Sequence, residues 1–399
     1  MKSLSVFLYR TVAAGVGVSL LVLVGACGKS EEPKSKDGEA LEVVTIGHAG
    51  PLTGPIAHLG KDNENGVRLA IEEANAAGVM IGDKKIHFEM ISEDDEGNPQ
   101  KGTVVAQKLV DAGVAGVVGH LNSGTTIPAS KIYYDAGIAQ ISPSATNVDY
   151  THQGYNTAFR VMANDAQQGK VLGEYAVNKL KAKTIAIIDD RSAYGKGLAD
   201  QVEMAAKQAG ATIVTREFTD TTKTDFTAIL TRIKGMSPDL VFCGCMDSQT
   251  GPMMKQFKNL GLTATFVSGD GSQTKQFLTL AGEAADGAYA SSPGVPLDKM
   301  PGGAAFNEKY KKTFNQDIQL YAPYAYDAAN VLIAAMTQAG SADPKVYLPV
   351  LANIEHDGVT GKIRFDKNGD IEGGSISLYK ANNGQWEYIE TVGGGTDKD

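Results

Sequence analysis

Residues 119–130 read GHLNSGTTIPAS, and residues 141–146 read ISPSAT. Both follow apolar runs of strand type, VAGVVG and GIAQIS. Small hydroxyl side chains separated by glycine and proline can bring O–H and backbone N–H donors close to one bound group. Such a cradle is neutral and rich in donors, which suits a carboxylate. Ser123, Ser144 and Thr146 are the candidate contacts. The same residue types also serve as ordinary helix N-caps, so the pattern alone leaves both uses open.

A complementary set follows later in the chain. TIAIIDDRSAYGKG leads to Tyr194, LVFCGCMD to Met246, and ATFVSGDG to Asp270. A carboxylate at a strand end can hold an ammonium, and a charge-assisted hydrogen bond of that kind contributes about 1.5–3 kcal/mol. A carboxylate held on one side and an ammonium on the other is a plan for an amino acid. It also supplies a closure mechanism, because only the closed form satisfies both ends.

Other chemistries lack their residues. The six histidines show no i, i+4 pair and no H-E-x-x-H. There is no G-x-S-x-G elbow, no Walker spacing around YGKG and no G-x-G-x-x-G after the first strand. DKNGD fails the spacing of a calcium loop. His120 near Ser123 has no placed acid partner in the sequence. An enzyme is therefore disfavoured, and no cofactor or metal is expected. The formal net charge of -9, with no basic stretch, argues against nucleic acid.

These residues need a frame. The chain has 399 residues, 42% of them hydrophobic and 21% charged, which suits two domains with sizeable cores. From Glu42 onward strands and helices alternate: EVVTIGHAG, GVRLAIEEANAAG, KIHFEMISEDD, KGTVVAQKLVDAG, VAGVVG, TIPASKIYYDAG, IAQIS. The pattern restarts at TIAIIDD and runs to KQFLTLAGEAA, with TAFRVMANDAQQGK as a crossover between the two arrays. Repeated β-α-β implies two α/β lobes with parallel sheets, doubly wound. The C-terminal third adds helices over AAFNEKYKKTF and YAYDAANVLIAAMTQAG. It also adds a strand, turn and strand over VTGKIRFDKNGDIEGGSISLYK, with Asn368-Gly369 suited to a tight hairpin. Cys243 and Cys245 read as buried free thiols, because i, i+2 positions on one strand rarely meet disulfide geometry.

The N-terminus reads as a targeting segment. Lys2 and Arg10 precede an apolar run, Thr11–Val24, too short to span a bilayer comfortably. It ends VGAC, which resembles a bacterial lipobox and implies cleavage before Cys27 and lipidation of Cys27. Residues 27–40 are polar and read as a flexible tether. The expected outcome is a protein held to a membrane by its lipid anchor only.

Beyond these local readings, GPLTGPIAHLG, GVRLAIEEANAAG, GHLNSGTTIPAS, ISPSAT, DDRSAYGKG, LAGEAADGAY and VTGKIRFDKNGD, in this order, are specific. From about Leu41 to Glu390 the chain resembles the leucine/isoleucine/valine-binding proteins of bacterial ABC importers, with the type I periplasmic-binding fold. The resemblance implies two lobes joined by three crossovers, a monomer, and delivery of an amino acid to a membrane permease. It implies a first lobe of residues 41–162 and 293–367 and a second of 163–292 and 368–392, after a signal peptide of 1–26. It places Ser123, Ser144 and Thr146 on the ligand carboxylate and part of the amine, and Asp270 on the ammonium. Tyr194 and Tyr321 fall on aromatic pocket positions, with Leu121 and Asn122 on the adjoining wall.

Several residues depart from that pattern. Leu59 and Met246 stand where leucine binders often place tyrosines, Gly97 and Asn122 where some relatives have a disulfide, and the acid at 270 is the shorter aspartate. The main-chain contacts for an amino acid are kept, while the side-chain pocket is altered. A flexible Met246 suits a different or broader apolar ligand. The alternatives are a receptor of this fold for another small carboxylate or an amide, or a ligand sensor for a signalling partner.

Overall fold

The computed structural model describes residues 41–394. The signal segment, Cys27 and the tether lie outside the described residues. Among the described residues no helix is long and apolar enough to cross a membrane.

The first lobe begins with β1 (Glu42–Gly50), α1 (Ala57–Ala77), β2 (Met80–Ile81), β3 (Lys84–Asp94), α2 (Pro99–Asp111), β4 (Gly116–Gly119), α3 (Ser123–Ala136), β5 (Gln140–Ser142) and β6 (Ala158–Arg160). Its six-stranded sheet has the order β2-β3-β1-β4-β5-β6, parallel except for the short β2–β3 pair. The central strands are buried on both faces, as a parallel sheet under two helix layers requires.

The second lobe follows with α4 (Asp165–Asn178), β7 (Thr184–Asp189), α5 (Ala193–Gln208), β8 (Thr212–Phe218), α6 (Thr227–Met236), β9 (Leu240–Gly244), α7 (Asp247–Asn259), β10 (Thr265–Ser268), α8 (Lys275–Ala281) and β11 (Tyr289–Pro293). The chain then returns to the first lobe for α9 (Gly303–Phe314), α10 (Ala322–Ala339), α11 (Pro344–Leu351), β12 (His356–Asp357) and β13 (Lys362–Ile363). It ends in the second lobe with β14 (Ser375–Asn382) and β15 (Gln385–Gly393). The second sheet is seven-stranded, in the order β15-β14-β11-β10-β9-β7-β8. Its β7 to β11 core is parallel, and β14 and β15 are antiparallel additions.

Local chemistry sets the element ends. Asn98 caps α2 by accepting from the N–H groups of Gln100 and Lys101, with Pro99 at the first helical position. Asn164 and Gln167 form a capping box at α4. Gly78, Gly137 and Gly340 end α1, α3 and α10 in the left-handed conformation. Gly66 lets α1 lie against α10: a Cβ there would stand 2.4 Å from the Ala322 carbonyl oxygen.

The chain passes between lobes three times: after β6, after β11, and between β13 and β14. These crossings lie side by side. Arg160 bridges to Asp370 in parallel, and Pro293 pairs with Ile376. The fully buried Arg160 donates Nε and Nη2 to Asp370 Oδ1 at 2.9 and 2.5 Å, and Nη1 to the carbonyls of Ala145 and Asn147 at 3.0 and 2.7 Å.

Three sequence expectations need correction. Cys243 and Cys245 form a disulfide, with their Cα atoms 5.4 Å apart. The strand ends at Gly244, so Cys245 leaves the extended path and comes within bonding range. The strand-turn-strand unit is not one hairpin. Around Asn368-Gly369 the structure has a turn joined by a single Phe365–Ile371 bridge, while β13 pairs with β12. The long hairpin is β14–β15, turning at Asn383-Gly384. Finally, α1 and α3 start earlier than their apolar periodicity suggests, because the turns ahead of that pattern bury polar groups, Asp62 and Asn63 in α1 and Ser123 and Thr125 in α3, for a purpose given below.

Candidate functional site

Both sheets reverse winding direction at one point, between β1 and β4 in the first and between β7 and β9 in the second. In open α/β sheets such switch points open a crevice beyond the strand ends. The loop after β4 carries Leu121, Asn122 and Ser123. The loop after β7 carries Tyr194 on the first turn of α5, and Met246 follows β9. The two crevices face each other.

One small cavity joins them. It is lined by Leu121, Asn122, Ser123, Ser144, Tyr194, Met246, Asp270 and Tyr321. All eight were singled out from the sequence. The enclosed volume is about 10 Å3, room for a single water. Anything larger enters only when the lobes part. Leu59 is fully buried on α1 and Thr146 in the loop after β5; neither lines the cavity.

The hydroxyl side is preset to donate. Asn63 Nδ2 donates to Ser144 Oγ at 3.0 Å, and the Asn147 N–H donates to Ser123 Oγ at 3.2 Å. Each serine accepts one bond and keeps its own proton to give. Asn122, at the N-cap of α3, makes no side-chain capping bond. Serine capping is therefore not the use made of this loop, and the positive end of α3 opens toward the cavity.

Asp270 stands opposite and is 1% exposed. Its Oδ1 accepts from Tyr194 Oη at 2.9 Å and Gln168 Nε2 at 3.0 Å, and its Oδ2 from Tyr321 Oη at 2.6 Å. Burial pushes the Asp270 carboxyl up from its ordinary value, while Tyr321, Gln168 and Tyr194 hold it down. Burial and the Asp270 charge raise both tyrosines well above their ordinary range, so they act as neutral donors. Three donors leave room for one more partner on a carboxylate with about four acceptor sites.

The supporting residues escaped the sequence. Asp62 on α1 accepts from the N–H groups of Gln319, Leu320, Tyr321 and Ala322, which fixes the start of α10 and with it Tyr321. This explains the early start of α1. Gln168 both donates to Asp270 and accepts from its N–H, and also accepts from Ser291 Oγ. Polar residues on amphipathic helices carry no sequence signal of such contacts.

A direct bond also spans the cleft at its lip. His58 on α1 meets Asp247 on α7, Nε2 to Oδ2, at 2.8 Å. The His58 side chain is 22% exposed and the Asp247 side chain 0%. Because this bond joins the two lobes, His58→Leu is expected to speed ligand release about 3- to 10-fold, between the yields of exposed and buried pairs. The association rate should stay unchanged. Stopped-flow dissociation no faster than the parent would show that the pair does not hold the cleft shut.

Among the described residues no group of three or more His, Cys, Asp or Glu side chains is placed to hold a metal. A wider groove of about 630 Å3 runs past Lys275, Gln319 and Trp386. It has neither a hydroxyl cradle nor a buried carboxylate, so the strand-end cavity is the better candidate despite its size.

Comparison with known proteins agrees with the geometry. A family model described as periplasmic binding protein matches residues 43–385. An amino acid binding protein of Pseudomonas aeruginosa is 36% identical over 344 residues, 86% of this chain and 91% of that protein. The leucine-, isoleucine-, valine-, threonine- and alanine-binding protein of the same species is 32% identical, covering 86% of this chain and 90% of its own. Among solved structures, a branched-chain amino acid transporter substrate binding protein of Streptococcus pneumoniae, in complex with isoleucine, is 29% identical. It covers 88% of this chain and 100% of that one, with a TM-score of 0.80. With its two parallel-sheet lobes of the type I periplasmic-binding fold, this chain belongs to the periplasmic binding protein family.

Proposed function

We propose that this protein is a lipid-anchored extracytoplasmic receptor that closes on an amino acid and delivers it to an ABC permease. The ligand carboxylate sits against Ser123, Ser144, Thr146 and the start of α3, and its ammonium against Asp270. The side chain lies among Leu121, Met246 and the two tyrosines, with Leu59 in the apolar cluster that backs them. The observation that carries this reading is the buried Asp270, held by Tyr194, Tyr321 and Gln168 inside one cavity with the hydroxyl loop. A buried carboxylate without a cation is costly, and an ammonium answers it. The Pseudomonas aeruginosa and Streptococcus pneumoniae relatives support an apolar or branched-chain amino acid. The membrane end of the proposal rests on the VGAC sequence at Val24–Cys27 and the polar segment after it.

The test is a thermal-shift screen of the folded part against the common L-amino acids, small amides and carboxylic acids lacking an amine. At about 100 times its dissociation constant a ligand adds roughly 2.7 kcal/mol, a clear shift. Stabilisation by apolar L-amino acids is expected. Stabilisation only by acids without an amine would remove the role given to Asp270. Attachment is tested separately: Cys27→Ala should release the protein from membranes.

A further inference from the structure

One buried carboxyl beside the site has no evident structural use. Asp165 opens α4, is 0% exposed, and neither of its carboxyl oxygens makes a well-formed hydrogen bond, the nearby Thr146 hydroxyl included. Thr146 Oγ1 is also fully buried and also without a partner. The two residues are tied by their backbones, the Asp165 N–H donating to the Thr146 carbonyl at 2.7 Å. Gly197 of α5 closes the space above them: a Cβ there would stand 3.1 Å from Asp165 Oδ2. The titratable and charged groups that face Asp165 are Asp270 beyond β10, Arg160 on β6 and Tyr194 on α5.

We propose that Asp165 is a positioning residue whose carboxyl group decides which way the Thr146 hydroxyl presents its proton to the ligand. The inference rests on the amino acid reading above, in which Thr146 meets the ligand carboxylate. A neutral Asp165 donates its O–H to Thr146 Oγ1, and the Thr146 proton is then free to point at the ligand carboxylate. An ionised Asp165 instead accepts a hydrogen bond from the Thr146 hydroxyl. Thr146 then offers the ligand only lone pairs, and a second negative charge stands behind it. Only the neutral form completes the cradle.

The surroundings favour the neutral form. Burial, followed by the Asp270 charge, pushes the Asp165 carboxyl from 3.8 up to about 8, with Thr146 and Arg160 pulling the other way. The sign follows by linkage. If the bound state requires the proton, binding takes up whatever fraction is missing, so affinity is full below about pH 8 and falls as pH rises through it.

Asp165→Asn separates this role from simple packing, because its amide is a permanent donor of the same shape. The apolar L-amino acids, alanine through phenylalanine, are titrated by calorimetry, and the tightest is followed from pH 6 to 9. The parent should lose affinity severalfold over the upper half of that range. Asp165→Asn should match it within about threefold at pH 6 and stay flatter to pH 9. Loss of the ligand's own ammonium proton affects both proteins alike, so the difference between them isolates Asp165. Thr146→Val should bind more weakly, and adding Asp165→Asn to it should not change its pH profile further. Parallel profiles for the parent and Asp165→Asn would overturn the proposal, as would a Thr146→Val protein that keeps the parental slope. Should Asp165→Asn not fold, as melting curves would show, the Thr146→Val profile alone decides. A parent that binds none of these amino acids at any pH overturns the amino acid reading as well.

Discussion

Replacing Asp270 with alanine is expected to abolish amino acid binding at ordinary concentrations. Removing one member of a buried, hydrogen-bonded charge pair costs about 2–5 kcal/mol, roughly 30- to 5,000-fold in affinity. Much of that loss comes from leaving the ligand ammonium buried without its anion. The fold should survive. Gln168 Oε1 still accepts from the residue-270 N–H and from Ser291 Oγ, and the two tyrosines keep their packed rings. Calorimetric titration of parent and variant, with melting curves as a control for folding, decides the matter. A variant that binds within about threefold of the parent would place the ammonium elsewhere.

The second large effect is on stability. Asp370 answers the fully buried guanidinium of Arg160 and also accepts from Thr151 Oγ1 and Asn164 Nδ2 at 2.9 and 3.0 Å. Asp370→Ala strands that cation in the interior and is expected to cost about 3–5 kcal/mol, read as a lower denaturant midpoint. Asp317→Ala breaks the exposed pairs with Lys275 and Lys311, at 2.5 and 3.0 Å, and should leave the midpoint within error. Equal effects from the two variants would mean that burial does not set the strength of the Arg160 pair.

The sequence made the alternation of strands and helices plain because the apolar periods are strong. The middle of TIAIID, Ile185–Ile188, is continuously apolar, as a strand covered on both faces must be, and GVRLAIEEANAAG repeats at helical spacing. The loops at strand ends were also legible, since their residue types are unusual for packing alone. What was hidden depended on contacts between distant segments. Gln168 looks like any polar residue on an amphipathic helix, and its bonds run to residues more than a hundred positions away. Asp62 falls ahead of the apolar helical pattern and shows no use until α10 is in place. The end of β9 at Gly244 is a backbone event with no side-chain signal, and the pairing of Cys243 with Cys245 followed from it. The sequence reading takes Asn368-Gly369 as the hairpin turn and passes over the Asn-Gly pair at 383–384. The one at Asn383-Gly384 won because eight residues on each side pair in an extended register.

The three crossings between lobes have a mechanical consequence. A single linker would let the lobes swivel, twist and slide. Here the first and third crossings are joined at Arg160 and Asp370, and the second and third pair through Pro293 and Ile376. Segments fastened edge to edge resist both torsion and shear and yield most readily to bending across their common line. The lobes are thereby left one soft coordinate, so whatever holds Asp270 against the hydroxyl loop must report its presence as a single angle between two otherwise rigid bodies.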